Sequence, residues 1–176
     1  YLATNKIGQY IKKRESMKKR SRPIKLLPTL LISMLIVGCS SSTTIKREFA
    51  SAKDNNYIIE THYSDKHTPH NYRQLFESHL QRKLDELDLN AGSDPRHTHT
   101  AKIVFEEFQL RDDTERVMIG IFAGTDKVIS SVKVISNAGN EVVGEAIIES
   151  NNASAWASNS GLLEKHAQKV IDFLTN

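Results

Sequence analysis

The chain has one cysteine, one tryptophan and four prolines in 176 residues. A single cysteine excludes an internal disulfide and any zinc site built on cysteine pairs. Four Pro and eight Gly exclude a collagen-like or low-complexity chain. No apolar run is long enough to span a bilayer. The longest, Leu26 to Gly38, is thirteen residues, and as a helix it covers about 20 Å of a roughly 30 Å hydrocarbon core. No G-K-[ST] follows the glycines Gly120 and Gly124, and a β-branched stretch rather than a helix comes next, so they do not form a phosphate loop. No G-x-S-x-G elbow is present. Excess positive charge is missing too, once position is considered. Residues 1–38 hold nine Lys and Arg against one acid, whereas 39–176 hold fifteen against twenty. The basicity belongs to the leader, and the remainder is mildly acidic, which argues against a nucleic-acid partner.

The leader is informative. From Met17 it reads MKKRSRPIKLLPTLLISMLIVGC, a basic cluster followed by a short apolar run. That is the anatomy of a signal peptide, and it places residues 1–16 upstream of the expected start. Ile36-Val37-Gly38-Cys39 resembles the lipobox of bacterial lipoproteins. In that motif the Cys thiol is the nucleophile that receives diacylglycerol, and a small residue before it admits the peptidase. The resemblance implies that residues 17–38 are removed and that Cys39 becomes an acylated N-terminus. Ser40, rather than Asp, follows the Cys. By analogy with lipoprotein sorting, this implies the outer membrane, with the protein facing the periplasm. Residues 39–54, opening on SSSTTIKRE, are small and polar and are expected to be a flexible tether.

Residues 55–176 are expected to form one α+β domain. NYIIETHYS (56–64) has the β-branched and aromatic content of a strand. From Asn71 to Leu89, Tyr72, Leu75, Phe76, Leu80, Leu84 and Leu87 recur at helical spacing, with Gly92 and Pro95 expected to end the helix. Strands are expected over 100–110, 127–136 and 141–149, the last two joined by an NAGN turn in which Gly139 can take positive φ. Leu163, Ala167, Val170, Ile171 and Leu174 mark a closing helix. The order β-α-β-β-β-α, with short turns between late strands, predicts a two-layer sandwich of a mainly antiparallel sheet with both helices on one face.

ERVMIGIFAGTDKVISSVKVISNAGNEVV looks like a segment of an uncharacterised family of bacterial envelope lipoproteins. The resemblance rests on Arg116, Gly120, Phe122, Ala123-Gly124, the strand 127–136 and the turn from Asn137 to Gly139. It departs from the family pattern in lacking Asp at 137. It implies an α+β envelope lipoprotein with no assigned enzymatic activity.

Candidate chemistry is sparse. His62, His67 and His70 are the metal-ligand candidates, because imidazoles bind zinc or copper, yet their spacing matches no standard site. With Asp112-Asp113 they define the alternative of a metal-binding or hydrolytic protein. Glu106 and Glu107 are strand neighbours and point to opposite faces. Trp156, in a polar loop, is a candidate partner contact or a cap on the sheet edge. Arg116 and Phe122 join it as interaction candidates. No catalytic residue and no cofactor is assigned. The reading is a non-catalytic binding or assembly module, held to the membrane by acyl chains on Cys39 and engaging an envelope protein.

Overall fold

The computed structural model describes residues 40–52, 55–64, 68–90, 98–111, 125–152 and 158–176. They form strands β1 (Ser40–Arg47) and β2 (Asn56–Tyr63), helix α1 (His70–Glu86), strands β3 (Thr98–Gln109), β4 (Asp126–Ser136) and β5 (Glu141–Asn152), and helix α2 (Asn159–Leu174). One five-stranded sheet has the order β1-β5-β4-β3-β2. Every neighbouring pair is antiparallel except β2 and β3, which are parallel. That exception follows from connectivity, because a helix-length crossover returns the chain to the same end before the next strand begins.

The α+β class, the mainly antiparallel sheet and the single helical face are all present. Register explains the face. Thr61, Ile103, Val132, Ala146 and Ile45 share one transverse row, and its three central members are fully buried. Both helices cover this face. The Phe105 ring on β3 meets Phe76 of α1 edge-on at 4.8 Å and lies 5.8 Å from the His166 ring of α2. The opposite face carries partly exposed charge ladders. Lys127 sits 3.1 Å from Glu107 and 4.0 Å from Glu149, and Lys133 sits 3.6 Å from Glu145. Such exposed pairs contribute about 0–1 kcal/mol each.

Three expectations are corrected. Residues 40–47 are not a tether but the edge strand β1, paired antiparallel with β5 from Ser40↔Asn151 to Arg47↔Glu145. Its Ser and Thr side chains carry no apolar alternation, so the pairing comes from backbone bonding to β5. The Arg47 guanidinium donates to the Val142 carbonyl, and the Ser40 hydroxyl donates to Asn151 Oδ1. Phe49, just beyond it, is buried among Tyr57, His99 and Phe173. Secondly, α1 ends at Glu86 rather than at Leu89. Asp88 takes the left-handed conformation (φ 55°), and the Leu89 amide donates back to Leu84 O at 2.9 Å. This is a Schellman-type stop with Asp in the usual glycine position. It leaves Leu87, expected on the apolar stripe, 52% exposed. Thirdly, the β4–β5 turn falls on 137–140 as expected, but its left-handed residue is Asn140 (φ 53°) rather than Gly139.

Gly144 marks a close approach between layers. A Cβ there would stand 2.5 Å from Phe49 Cβ and 3.3 Å from Phe173 Cζ. Gly144→Ala is therefore expected to destabilise the domain by about 1–3 kcal/mol. Phe49→Gly, which removes that Cβ, combined with it should cost less than the sum of the two single changes. A urea-midpoint double-mutant cycle checks both; simple additivity would show that the contact is not shared.

Candidate functional site

Among the described residues, polar chemistry is concentrated at two buried positions. The first lies where β3 ends, β4 begins, β5 ends and α2 begins. Arg111 and Asp126 are both buried and form a bidentate pair, with Nε 3.0 Å from Oδ1 and Nη2 3.1 Å from Oδ2. The Arg111 backbone amide also donates to Oδ1 at 2.9 Å. Nη2 reaches the Asn152 carbonyl at 3.5 Å. Asn159 Nδ2 donates to the Arg111 carbonyl and to the Tyr72 hydroxyl, each at 2.8 Å. One network therefore ties three strand ends to the N-terminal turns of both helices. A guanidinium suits this role because its planar fork holds a carboxylate in a single orientation.

The second is His166 on α2, which is fully enclosed. Its Nε2 lies 2.8 Å from Ser130 Oγ on β4, and its Nδ1 lies 2.9 Å from Ser150 Oγ on β5. The rings of Phe76 and Phe105 pack against it. A Ser–His pair at this distance has the spacing of a nucleophile and its base. Yet Ser130, Ser150 and His166 are each 0% exposed, so no substrate reaches them. A neutral imidazole donates at one nitrogen and accepts at the other, and two hydroxyls satisfy both. The group is a polar rivet between helix and sheet. Burial lowers the His166 pKa to about 3.

A smaller polar cluster joins the helices at the surface. His79 Nε2 lies 3.2 Å from Ser160 Oγ, and Arg82 Nη2 lies 2.7 Å from Glu164 Oε1. Desolvation moves the His79 pKa downward, with Glu164 opposing it.

Of the sequence-derived candidates, Cys39, His67, Arg116, Phe122 and Trp156, as well as Asp112-Asp113, lie outside the described residues. His62 is exposed on β2, and His70 is exposed at the first turn of α1. Among the described residues no three His, Cys, Asp or Glu side chains are grouped to hold a metal ion. Sequence reasoning missed Arg111–Asp126 and the His166 rivet. The available signals were an Asp opening a β-branched strand and a His inside the apolar stripe of the last helix. Neither residue identifies its partner without the strand register.

No family model matches the chain, and no curated protein matches it. The fold does recur among solved structures. A variant of the PelC dodecamer from Paraburkholderia phytofirmans aligns with a TM-score of 0.54 and 15% identity, over 77% of this chain and 98% of that one. At that identity the likeness is one of fold alone. A second PelC dodecamer structure from the same organism gives 0.49 at 15% identity, over 77% and 98%. A candidate lipoprotein from Caulobacter crescentus gives 0.37 at 15% identity, over 66% and 87%.

Two outcomes are expected from the buried groups. Removing one partner of the Arg111 pair, as in Asp126→Asn, leaves a buried guanidinium without its counter-charge and should cost about 3–5 kcal/mol in chemical denaturation. A loss below about 1 kcal/mol would mean that the pair is solvated. His166 predicts the pH response. Its folded pKa lies below the unfolded value of about 6.5. Between about pH 6.5 and 3 the unfolded chain binds a proton that the folded chain refuses, so stability falls as pH falls through that window. The slope approaches about 1.4 kcal/mol per pH unit. His166→Gln, which can still bond both serines, should flatten that dependence relative to the parent. Parallel pH profiles of the two proteins would contradict the assignment.

Proposed function

We propose that this chain is an envelope lipoprotein, anchored in the outer membrane by acyl chains on Cys39 and facing the periplasm, whose α+β domain is a non-catalytic binding or assembly module. The observation that carries this reading is the position of β1. Its first residue, Ser40, is the immediate neighbour of the lipobox-like Cys39. Each buried methylene of an acyl chain contributes about 0.8 kcal/mol, and two or three chains hold a protein stably at a membrane. With β1 beginning one residue later, no slack separates lipid from sheet. The end of the sheet that holds Ser40, Asn151 and the Arg111–Asp126 pair would then lie at the headgroups.

Two further observations support a module without chemistry of its own. The Ser130–His166–Ser150 group is sealed inside the core, and the Arg111–Asp126 pair ties secondary-structure elements together. PelC, which shares the fold, is dodecameric in its crystals, so this architecture is compatible with assembly. Tethering at a membrane raises the effective concentration of the domain for an envelope partner.

Cys39→Ser is expected to abolish incorporation of a radiolabelled fatty acid and to release the protein from outer-membrane fractions as an uncleaved precursor. Wild-type fractionation and maturation of that variant would refute the anchor. In-cell crosslinking of the lipidated parent should recover a defined complex; monomer alone across crosslinker lengths would refute the assembly role.

A further inference from the structure

The two edges of the sheet differ. β1 carries small polar residues and ends on Lys46 and Arg47, which are the features that discourage a further strand from adding. β2 is the other edge, and its sequence NYIIETHY contains neither Lys nor Pro. Its first half-turn of edge is occupied, since Tyr57 bridges to Asn90 and its amide donates to Leu89 O at 2.8 Å. From Ile58 to Tyr63 no strand pairs with the outer side of β2 among the described residues. That length is about 20 Å, enough for a strand of five or six residues.

Beside this edge runs a cleft of about 260 Å³ between β2 and α1, lined by Ile59, Thr61, Glu77, Leu80, Gln81 and Leu84. A strand added here would have two environments for its alternating side chains. One set would enter the cleft, with its floor of Ile59, Leu80 and Leu84. The other would lie on the open face beside Ile58, itself 44% exposed, with Glu60 and His62. Glu77 places an exposed carboxylate at the cleft. Glu77 accepts from Thr61 Oγ1 at 2.9 Å and from the Tyr63 hydroxyl at 3.3 Å, both neutral donors. Of the cations of α1, Arg73 lies over the Tyr63 ring at 4.8 Å and donates to Thr68 O, while Arg82 is engaged by Glu164 and Lys83 by Gln168.

We propose that the β2–α1 edge is a docking site for an extended segment of an envelope protein, which adds as a sixth strand with apolar side chains at alternate positions and a basic residue opposite Glu77. Backbone bonding supplies the affinity in this mode, and the cleft supplies the sequence preference. The proposal names the binding site of the module described above and rests on that reading. It does not require the lipid, so its failure and that of the anchor are separable.

The test uses the whole protein purified in detergent and a fluorescein-labelled decapeptide of alternating valine and threonine with one central lysine. Saturable binding is expected, with slowed amide exchange confined to 58–63 and the residues lining the cleft. The same peptide N-methylated along one edge should not bind, because strand addition needs its amides. Glu77→Lys should weaken binding about fivefold, the worth of one exposed charge contact. A glutamate-centred peptide should bind that variant at least as tightly as the lysine-centred one. No binding up to about 1 mM, or equal binding of the N-methylated peptide, would overturn the proposal. So would concentration-dependent self-association in sedimentation that protects the same edge, since the occupant would then be a second copy of this chain.

Discussion

Phe105 is the point at which the two layers meet. It sits mid-strand on β3, stacks on Tyr63 at 4.7 Å, meets Phe76 edge-on at 4.8 Å and contacts Phe108 and His166. One residue thus joins β2, α1 and α2 to the sheet. An open sheet has one face that must be covered. Here the cover is two helices, and the seam between them runs over Phe105. The His166 rivet belongs to the same seam. It replaces apolar contact by two hydrogen bonds to β4 and β5, and that fixes which turn of α2 lies over which strand. A purely apolar seam would allow more sliding, because dispersion has no direction.

Much of this was legible because burial imposes a period. α2 has Leu163, Ala167, Val170, Ile171 and Leu174 on its buried side, as the helical spacing predicts, and β5 alternates into the core through Gly144, Ala146 and Ile148. Legibility stopped where burial stopped deciding. β1 is almost wholly exposed, so its side chains carry no alternation, and only backbone pairing to a strand some hundred residues later makes it a strand. Leu87 continues the helical period in sequence but falls at the C-cap, where the helix has stopped and Asp88 turns the chain one residue later. Arg111 and Asp126 are fifteen residues apart, and only the β3–β4 register brings them together. The interaction candidates Arg116, Phe122 and Trp156 follow or precede the ends this pair joins, in segments outside the described residues.

The polar interior bears on function through what it rules in. A buried ion pair is weak evidence for stability, since apolar replacements of equal volume are often as stable. Its better-attested use is to specify one arrangement, and here that arrangement is the meeting of three strand ends with the start of α2. Sequence alone could weigh Ser and His as catalytic types, but only their enclosure assigns them a structural task. The functional surfaces must then be sought on the outside, in the sheet edges, the open face and the helix–strand clefts.

The two edges cannot be equivalent if Cys39 carries lipid. β1 would then be fixed at its first residue to the membrane, and a strand adding beyond it would have to lie against the headgroups along part of its length. Its Lys46 and Arg47 and its small polar side chains give such a strand little to pack on. β2 is the strand farthest from β1 in the sheet order, and it offers Ile58, Ile59 and an apolar-floored cleft. Edge strands that are not blunted in soluble proteins invite pairing. The cost of leaving one unblunted is aggregation, and one advantage that offsets it is a partner. With Cys39 acylated, the polar edge would be the membrane side and the apolar edge would be left for a protein, so that a sheet with two unlike edges would act as a module with two distinct sides.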